Sequence, residues 1–221
     1  MSERRTLSRA EAEAVYDRIG AWQDTQAFYE APALDALIRR ADFHEAASVM
    51  EIGCGTGRLA ERLLRAHCPS HARYDAYDLS EMMVRIARER LASFGPRATV
   101  HPTDGRLSLN GSNGLYDRVV ATYLLDLLSR ADARTFLREA HRRLREDGRL
   151  CLAGLTWGRS FWARGVSGLW DILHRIRPEW VGGCRPLRHR ALLDGARWSV
   201  RAHTVVRAWG VPSEVLVAQP T

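Results

Sequence analysis

The sequence predicts a doubly wound α/β fold, with a mostly parallel seven-stranded sheet, an N-terminal helical cap and a C-terminal antiparallel hairpin. Three observations carry that expectation. Strand-like apolar runs alternate with helix-period runs from Ser48 onward, a glycine cluster Gly53-Cys54-Gly55-Thr56-Gly57 follows the first of these strands, and two strand patterns joined by a turn close the chain.

The first forty residues have helical rather than strand periodicity. Leu7 to Gly20, with Ser8 as a cap, and Ala33 to Ala41, with Leu34, Leu37 and Ile38 repeating on one face, are predicted helices. Trp22 to Tyr29 reads as an aromatic linker between them, so residues 1–47 form a cap or lid on a main unit at 48–221. Strands are expected at Val49 to Ile52, Tyr74 to Tyr77, Thr99 to Pro102, Tyr116 to Tyr123 and Arg149 to Leu155, with helices at 58–67, 81–92 and 132–145 between them. The stretch 156–197 is an insert expected to cover a substrate, and its Ser160 to Ile176 helix gathers Phe161, Trp162, Val166, Leu169, Trp170, Leu173 and Ile176 on a broad face. Trp198 to Arg207 and Glu214 to Gln219 are the hairpin strands, joined through Gly210-Val211-Pro212-Ser213.

Composition bounds the function. A chain of 221 residues suffices for one open α/β domain, and no second domain is needed. No apolar run is long enough to span a bilayer and the start, Met1-Ser2-Glu3-Arg4-Arg5, is polar, so a soluble cytoplasmic protein is expected. Cys54, Cys68, Cys151 and Cys184 are scattered without a C-x-x-C pair, which indicates free thiols and no metal site. The net charge of +7 comes from arginine alone, because lysine is absent, and the arginines alternate with Asp and Glu along the helices. That pattern is a solvated surface, and nucleic acid is not the expected partner.

A glycine turn between a strand and a helix lets the backbone approach a ligand closely, and the helix start offers unpaired N–H groups to it. The glycines stand at 53, 55 and 57, whereas the dinucleotide fingerprint needs one at 58, which is Arg58. NAD and FAD are therefore disfavoured. Asp78 ends the second strand, where a carboxylate can accept from both ribose hydroxyls; the competing reading is a cap for the helix beginning at Ser80 or Glu81. Leu79 with Met82 or Met83 offers apolar surface for an adenine ring. Asp104-Gly105 after the third strand is either a plain turn or a further cofactor contact.

Glu51-Ile52-Gly53-Cys54-Gly55-Thr56-Gly57 after an apolar strand resembles motif I of the class I S-adenosylmethionine-dependent methyltransferases. The resemblance implies a Rossmann-like fold with a terminal hairpin, S-adenosylmethionine as cofactor and S-adenosylhomocysteine as product. It implies cofactor contacts from Glu51, Gly53, Gly55, Gly57, Asp78, Leu79, Met83, Asp104, Gly105 and Thr122. Tyr116-Asp117-Arg118-Val119 is similar to the family's F/Y-D-x-V stretch, whose end lies beside the methionine part of the cofactor. Enzymes of exocyclic base amines usually carry Asn or Asp, two prolines and an aromatic residue there; this chain has Ala121-Thr122-Tyr123-Leu124, so adenine or cytosine N-methylation is not implied. Arg142 to Leu150 resembles the family's helix end, which makes Gly148 the expected αL stop of the preceding helix. Tyr16-Asp17-Arg18-Ile19, Val181 to Leu187 and Val211 to Leu216 are similar to the type-11 branch, which includes ubiquinone and menaquinone methyltransferases.

Methyl transfer from a sulfonium is an in-line displacement, and a base is needed only where the acceptor enters protonated. No catalytic constellation stands out. His101, His174, His189 and His203 read as surface or helix-end residues, while Tyr16 and Tyr123 are the candidates to touch reacting groups, with core packing as the competing role. Trp22, Phe28, Tyr29, Trp157, Trp162 and Trp180 either line an aromatic acceptor pocket or pack as a hydrophobic lid, and the basic, aromatic run 159–180 could lie on a membrane surface. The expected acceptor is a small, partly apolar molecule. RNA or lipid methylation, or cofactor binding without transfer, are the alternatives.

Overall fold

The computed structural model describes residues 27–104, 115–157 and 184–221. The expected helices at 7–20 and 160–176 lie outside the described residues. Helix α1 spans Ala27–Ile38. After a 3-10 turn at Phe43–Glu45 come β1 (Ser48–Ile52), α2 (Arg58–Ala66), β2 (Arg73–Asp78), α3 (Glu81–Leu91), β3 (Ala98–Pro102) and β4 (Tyr116–Thr122). The chain continues through α4 (Arg130–Arg143), β5 (Leu144–Leu155), β6 (Trp198–Ala208) and β7 (Val211–Pro220). The seven strands form one sheet in the order β3-β2-β1-β4-β5-β7-β6. The first five are parallel, with Val49 opposite Tyr74 and Met50 opposite Val119, and β7 runs antiparallel between β5 and β6, with Leu152 opposite Leu216.

Local chemistry starts two of the helices, α3 at Glu81 as expected and α4 at Arg130, ahead of the expected 132. The Ser80 hydroxyl accepts the Met83 N–H at 3.2 Å, and the Ser129 hydroxyl accepts the Asp132 N–H at 3.1 Å. Both satisfy a donor that the first helical turn leaves unpaired. Two expectations are corrected. Helix α1 begins at Ala27, inside the stretch read as a linker, because its face packs on the sheet. Gly148 does not stop a helix: α4 ends at Arg143, the chain passes directly into β5, and Gly148 is not among the residues with positive φ. The need there is space. A Cβ on Gly148 would stand 2.9 Å from Leu144 Cδ2 and 3.0 Å from the Tyr116 carbonyl, where the β4/β5 register shifts.

The sheet is buried on both faces, as a parallel core requires. On one face Leu37, Leu59, Leu63, Val84 and Leu91 of α1, α2 and α3 pack on Val49, Tyr74, Val120, Cys151, Val215 and Val217. On the other, Ala133, Phe136, Leu137 and Ala140 of α4 pack on Met50, Ile52, Val119, Leu150, Leu152 and Leu216. No described helix is long and apolar enough to cross a membrane. From β1 the chain winds outward to β2 and β3, then crosses back to β4 on β1's other side. Such a reversal opens a crevice at the carboxyl ends of the two central strands.

Candidate functional site

The glycine turn lies at that crevice. Gly53, Gly55 and Gly57 have φ of 74°, 52° and 77°, a left-handed conformation that L side chains rarely adopt. Two of them are also crowded: a Cβ on Gly53 would lie 3.2 Å from Leu124 Cδ1, and one on Gly57 would lie 3.1 Å from Ala87 Cβ. The Gly53 and Cys54 N–H groups both donate to the Tyr77 carbonyl, at 2.8 and 3.0 Å. Gly55 N–H donates to Asp78 Oδ2 at 2.7 Å, and Ser80 N–H donates to Asp78 Oδ1 at 3.0 Å. The carboxylate at the end of β2 thus ties the turn to the start of α3. A carboxylate is an acceptor-only group of the kind that a ligand hydroxyl donates to.

The cleft beside the turn is walled by Glu30, Ala31 and Leu34 of α1, by Glu51 and the turn, by Arg58, Leu59 and Arg62 of α2, and by Thr122 and Tyr123 leaving β4. Arg62 pairs with Asp35 at 2.5 Å. Glu51 is buried and accepts the Tyr74 hydroxyl at 2.8 Å. Burial pushes its carboxyl up to about 8; the Tyr74 hydrogen bond opposes the shift and the Asp78 charge adds to it. Tyr123 has a φ of 54°, unusual for a bulky residue, and its hydroxyl is 3.0 Å from Ser213 Oγ. Its ring meets Tyr29 edge-on at 5.9 Å. Burial raises the Tyr123 phenol far above its ordinary range, so the group is a neutral hydroxyl rather than a base.

The structure brings Glu51, Gly53, Gly55, Thr122 and Tyr123 to one cleft, with Gly57 heading α2 and Asp78 bonded to the turn. Leu79 is half-buried next to Asp78. Met83 is fully buried beneath α3, so the reading of its side chain as open surface for an adenine is corrected; Met82 is the partly accessible methionine. Asp104 is exposed just past β3, where Thr103 N–H donates to the Asp78 carbonyl. Trp157 is half-buried just past β5 and is not among the residues that line the cleft. Tyr16, Trp22, Gly105, Trp162, Trp180 and the side chain of Phe28 lie outside the described residues.

Sequence reasoning missed a buried polar cluster behind Tyr123. His189 is fully buried, which corrects its reading as a surface residue. Its Nε2 is 3.0 Å from Asp126 Oδ1 and its Nδ1 3.4 Å from Glu214 Oε2, both off the N–H axis, so attraction of charge holds the group more than straight hydrogen bonds do. Glu214 also accepts the His189 backbone N–H at 2.7 Å and faces His203 Nε2 at 2.7 Å, and Asp126 accepts the Leu155 N–H at 2.6 Å. The two carboxylates outweigh the cost of burying the imidazole and raise His189 to about 9; Glu214 is lowered to about 2 despite its own burial, chiefly by His189. Gly154 makes the room, since a Cβ there would lie 2.6 Å from Asp126 Oδ2. The available signal was Glu214 inside an apolar strand, which demands a buried partner without saying which. Glu30, Arg58 and Arg62 were likewise missed as cleft residues, because α1 and α2 meet only in the fold.

Residues 49–148 match a family described as a methyltransferase domain. No curated protein matches the chain. Among solved structures, the fold is similar to that of the [4+2]-cyclase SpnF, at 15% identity and a TM-score of 0.72, over 99% of this chain and 98% of that one. It is also similar to the N-methyltransferase NodS from Bradyrhizobium japonicum WM9 in complex with S-adenosylhomocysteine, at 16% identity and a TM-score of 0.72, over 95% and 98% of the two chains. A third similar structure is the magnesium protoporphyrin IX methyltransferase ChlM from Synechocystis PCC 6803 with bound S-adenosylhomocysteine, at 18% identity and a TM-score of 0.62, over 93% and 86%. At these identities the likeness is one of fold.

Proposed function

We propose that this chain, whose residues 49–148 match a methyltransferase domain, is an S-adenosylmethionine-dependent methyltransferase that transfers a methyl group to a small, partly apolar molecule. One observation supports the choice of acceptor: Tyr123 on the cleft wall is backed by a buried apolar cluster of Tyr29, Leu155, Cys184 and Ala208, with Leu127 and Val211 packed beside it. An aromatic wall with apolar packing behind it favours an apolar body on the acceptor over a phosphate backbone. The N-methyltransferase and the porphyrin methyltransferase of like fold support a small acceptor. The stretches similar to the type-11 branch point the same way.

The residues fit the cofactor. Three left-handed glycines leave the turn's backbone open to close approach, Asp78 places a carboxylate beside the turn at the end of β2, and Glu51 presents a carboxyl at the cleft wall. When bound, S-adenosylmethionine supplies an electrophilic methyl group on a sulfonium. In this reading Gly53, Gly55 and Gly57 admit the amino-acid end, Asp78 orients the ribose, Leu79 and Asp104 face the adenine, and Thr122 and Tyr123 wall the methyl position. Tyr123, neutral and held by Ser213, positions the acceptor instead of deprotonating it. The described part of the cap, Ala27–Ile38, walls the cleft through Glu30, Ala31 and Leu34 and excludes water from that side of the line of transfer.

Two measurements test this. Calorimetry with S-adenosylhomocysteine is expected to give affinity lower by about ten- to a hundredfold for Asp78→Ala, the cost of losing one charge-assisted hydrogen bond; unchanged affinity sinks the role of Asp78. Methyl-labelled cofactor offered with small aromatic and quinol acceptors, transfer RNA and lipid vesicles is expected to label the small molecules. Label entering RNA or lipid alone overturns the acceptor class.

A further inference from the structure

We propose that Glu51 exchanges a proton for the cofactor's ammonium group: the carboxyl is protonated in the ligand-free protein and ionises as the ammonium arrives, so that each binding event releases one proton. The inference rests on the cofactor reading above and concerns the site's charge, not the acceptor. It starts from geometry. Glu51 is the penultimate residue of β1, directly below the glycine turn, buried yet part of the cleft wall. Tyr74, from the adjacent strand β2, is the one hydrogen-bond donor to it among the described residues, and no described arginine or histidine is ion-paired with it.

The groups facing it make an isolated carboxylate costly. From β2 come the neutral Tyr74 phenol and the Asp78 carboxylate; from the turn comes the Cys54 thiol, whose ionisation burial and both carboxylates suppress. Across the cleft stand Glu30 on α1 and Arg58 and Arg62 on α2, with Arg62 already engaged by Asp35. A buried negative charge without a cation is disfavoured, and the carboxyl accordingly holds its proton up to about pH 8. An ammonium brought to the cleft wall reverses the balance. The carboxyl O–H bond breaks, its electron pair stays on oxygen as the carboxylate that faces the cation, and the proton leaves to solvent. No redox partner or co-reactant is involved. By linkage, affinity for an ammonium-bearing ligand rises with pH until the free protein has itself lost the proton.

Calorimetry in buffers of different ionisation enthalpy, phosphate against Tris at pH 7, counts the protons. S-adenosylhomocysteine is expected to release close to one proton per site, and 5′-methylthioadenosine, which has the nucleoside but no ammonium, close to none. Glu51→Gln, which keeps the shape and the Tyr74 contact, is expected to abolish the release. Tyr74→Phe is a second variant: removing the donor raises the carboxyl further, so the release extends to higher pH than in the wild type. Tight binding of S-adenosylhomocysteine with no proton release overturns the proposal, as does equal release with 5′-methylthioadenosine or undiminished release in Glu51→Gln. Failure to bind S-adenosylhomocysteine at all would instead strike the cofactor reading.

Discussion

Gly53 illustrates how a single atom is excluded from the turn for two reasons at once. Its φ of 74° strains any L side chain, and the Leu124 side chain already occupies the place where a Cβ would point. Gly53→Ala is therefore expected to cost about 1–3 kcal/mol, the range of a forced left-handed residue. In a chain of this size that lowers the melting temperature by several degrees, and it weakens S-adenosylhomocysteine binding as well. Trimming Leu124 to Ala in the same protein relieves the contact but not the dihedral, so only part of the loss should return. A thermal scan of the three variants checks this; full recovery in the double variant would show that crowding, and not backbone conformation, keeps the position as glycine.

At the scale of elements, the ends of β4 and β5, the start of β7 and the segment returning at 184–192 are joined through one imidazole. Asp126 follows β4, the Leu155 N–H that it accepts closes β5, Glu214 belongs to β7, and His189 comes from the returning segment. Removing His189 takes from the buried Asp126 its closest cationic partner and leaves Glu214 ion-paired with His203 alone among the described residues. Breaking such a cluster on one side costs about 3–5 kcal/mol, because the abandoned charge stays desolvated. His189→Ala is expected to lose stability of that order in urea denaturation, and adding Asp126→Asn should restore part of it by removing one charge. A loss below about 1 kcal/mol would mean that water reaches the carboxylates once the ring is gone. The returning segment meets the sheet beside Tyr123, so this cluster also fixes the cleft wall that Tyr123 forms.

Across the whole molecule, buried ionisable groups couple folding to pH. Glu51 titrates near 4.5 unfolded and about 8 folded, and His189 near 6.5 unfolded and about 9 folded. Between these values the fold holds protons that the unfolded chain has released, so both contributions are complete below the unfolded values and are lost as pH rises through the folded ones. Glu214 acts in the opposite sense at the acid end: its contribution is present above 4.5 and disappears as pH falls through about 2. Stability from urea titrations should consequently decline from pH 6.5 to 9, approaching a slope of two protons where both groups are held only by the fold. A curve that stays level or rises over that interval contradicts the assignment of Glu51 and His189 as proton-holding groups.

The amino-acid order alone determined the alternation of strands and helices, the left-handed turn at 53–57, the carboxylate closing β2 and the final hairpin. These are set by contacts close along the chain, where periodicity, glycine spacing and Ser80 or Ser129 caps act within a few residues. Tertiary structure decided the rest. Whether Met83 or Met82 reaches the surface depends on how α3 lies on the sheet, and whether Gly148 stops a helix or makes room for Leu144 depends on the β4/β5 register. Asp126, His189 and Glu214 are separated by up to 88 residues in number yet share one buried site, and Glu51 owes its proton to burial beside Asp78. Burial and charge proximity are properties of packed space, and no spacing along the chain encodes them.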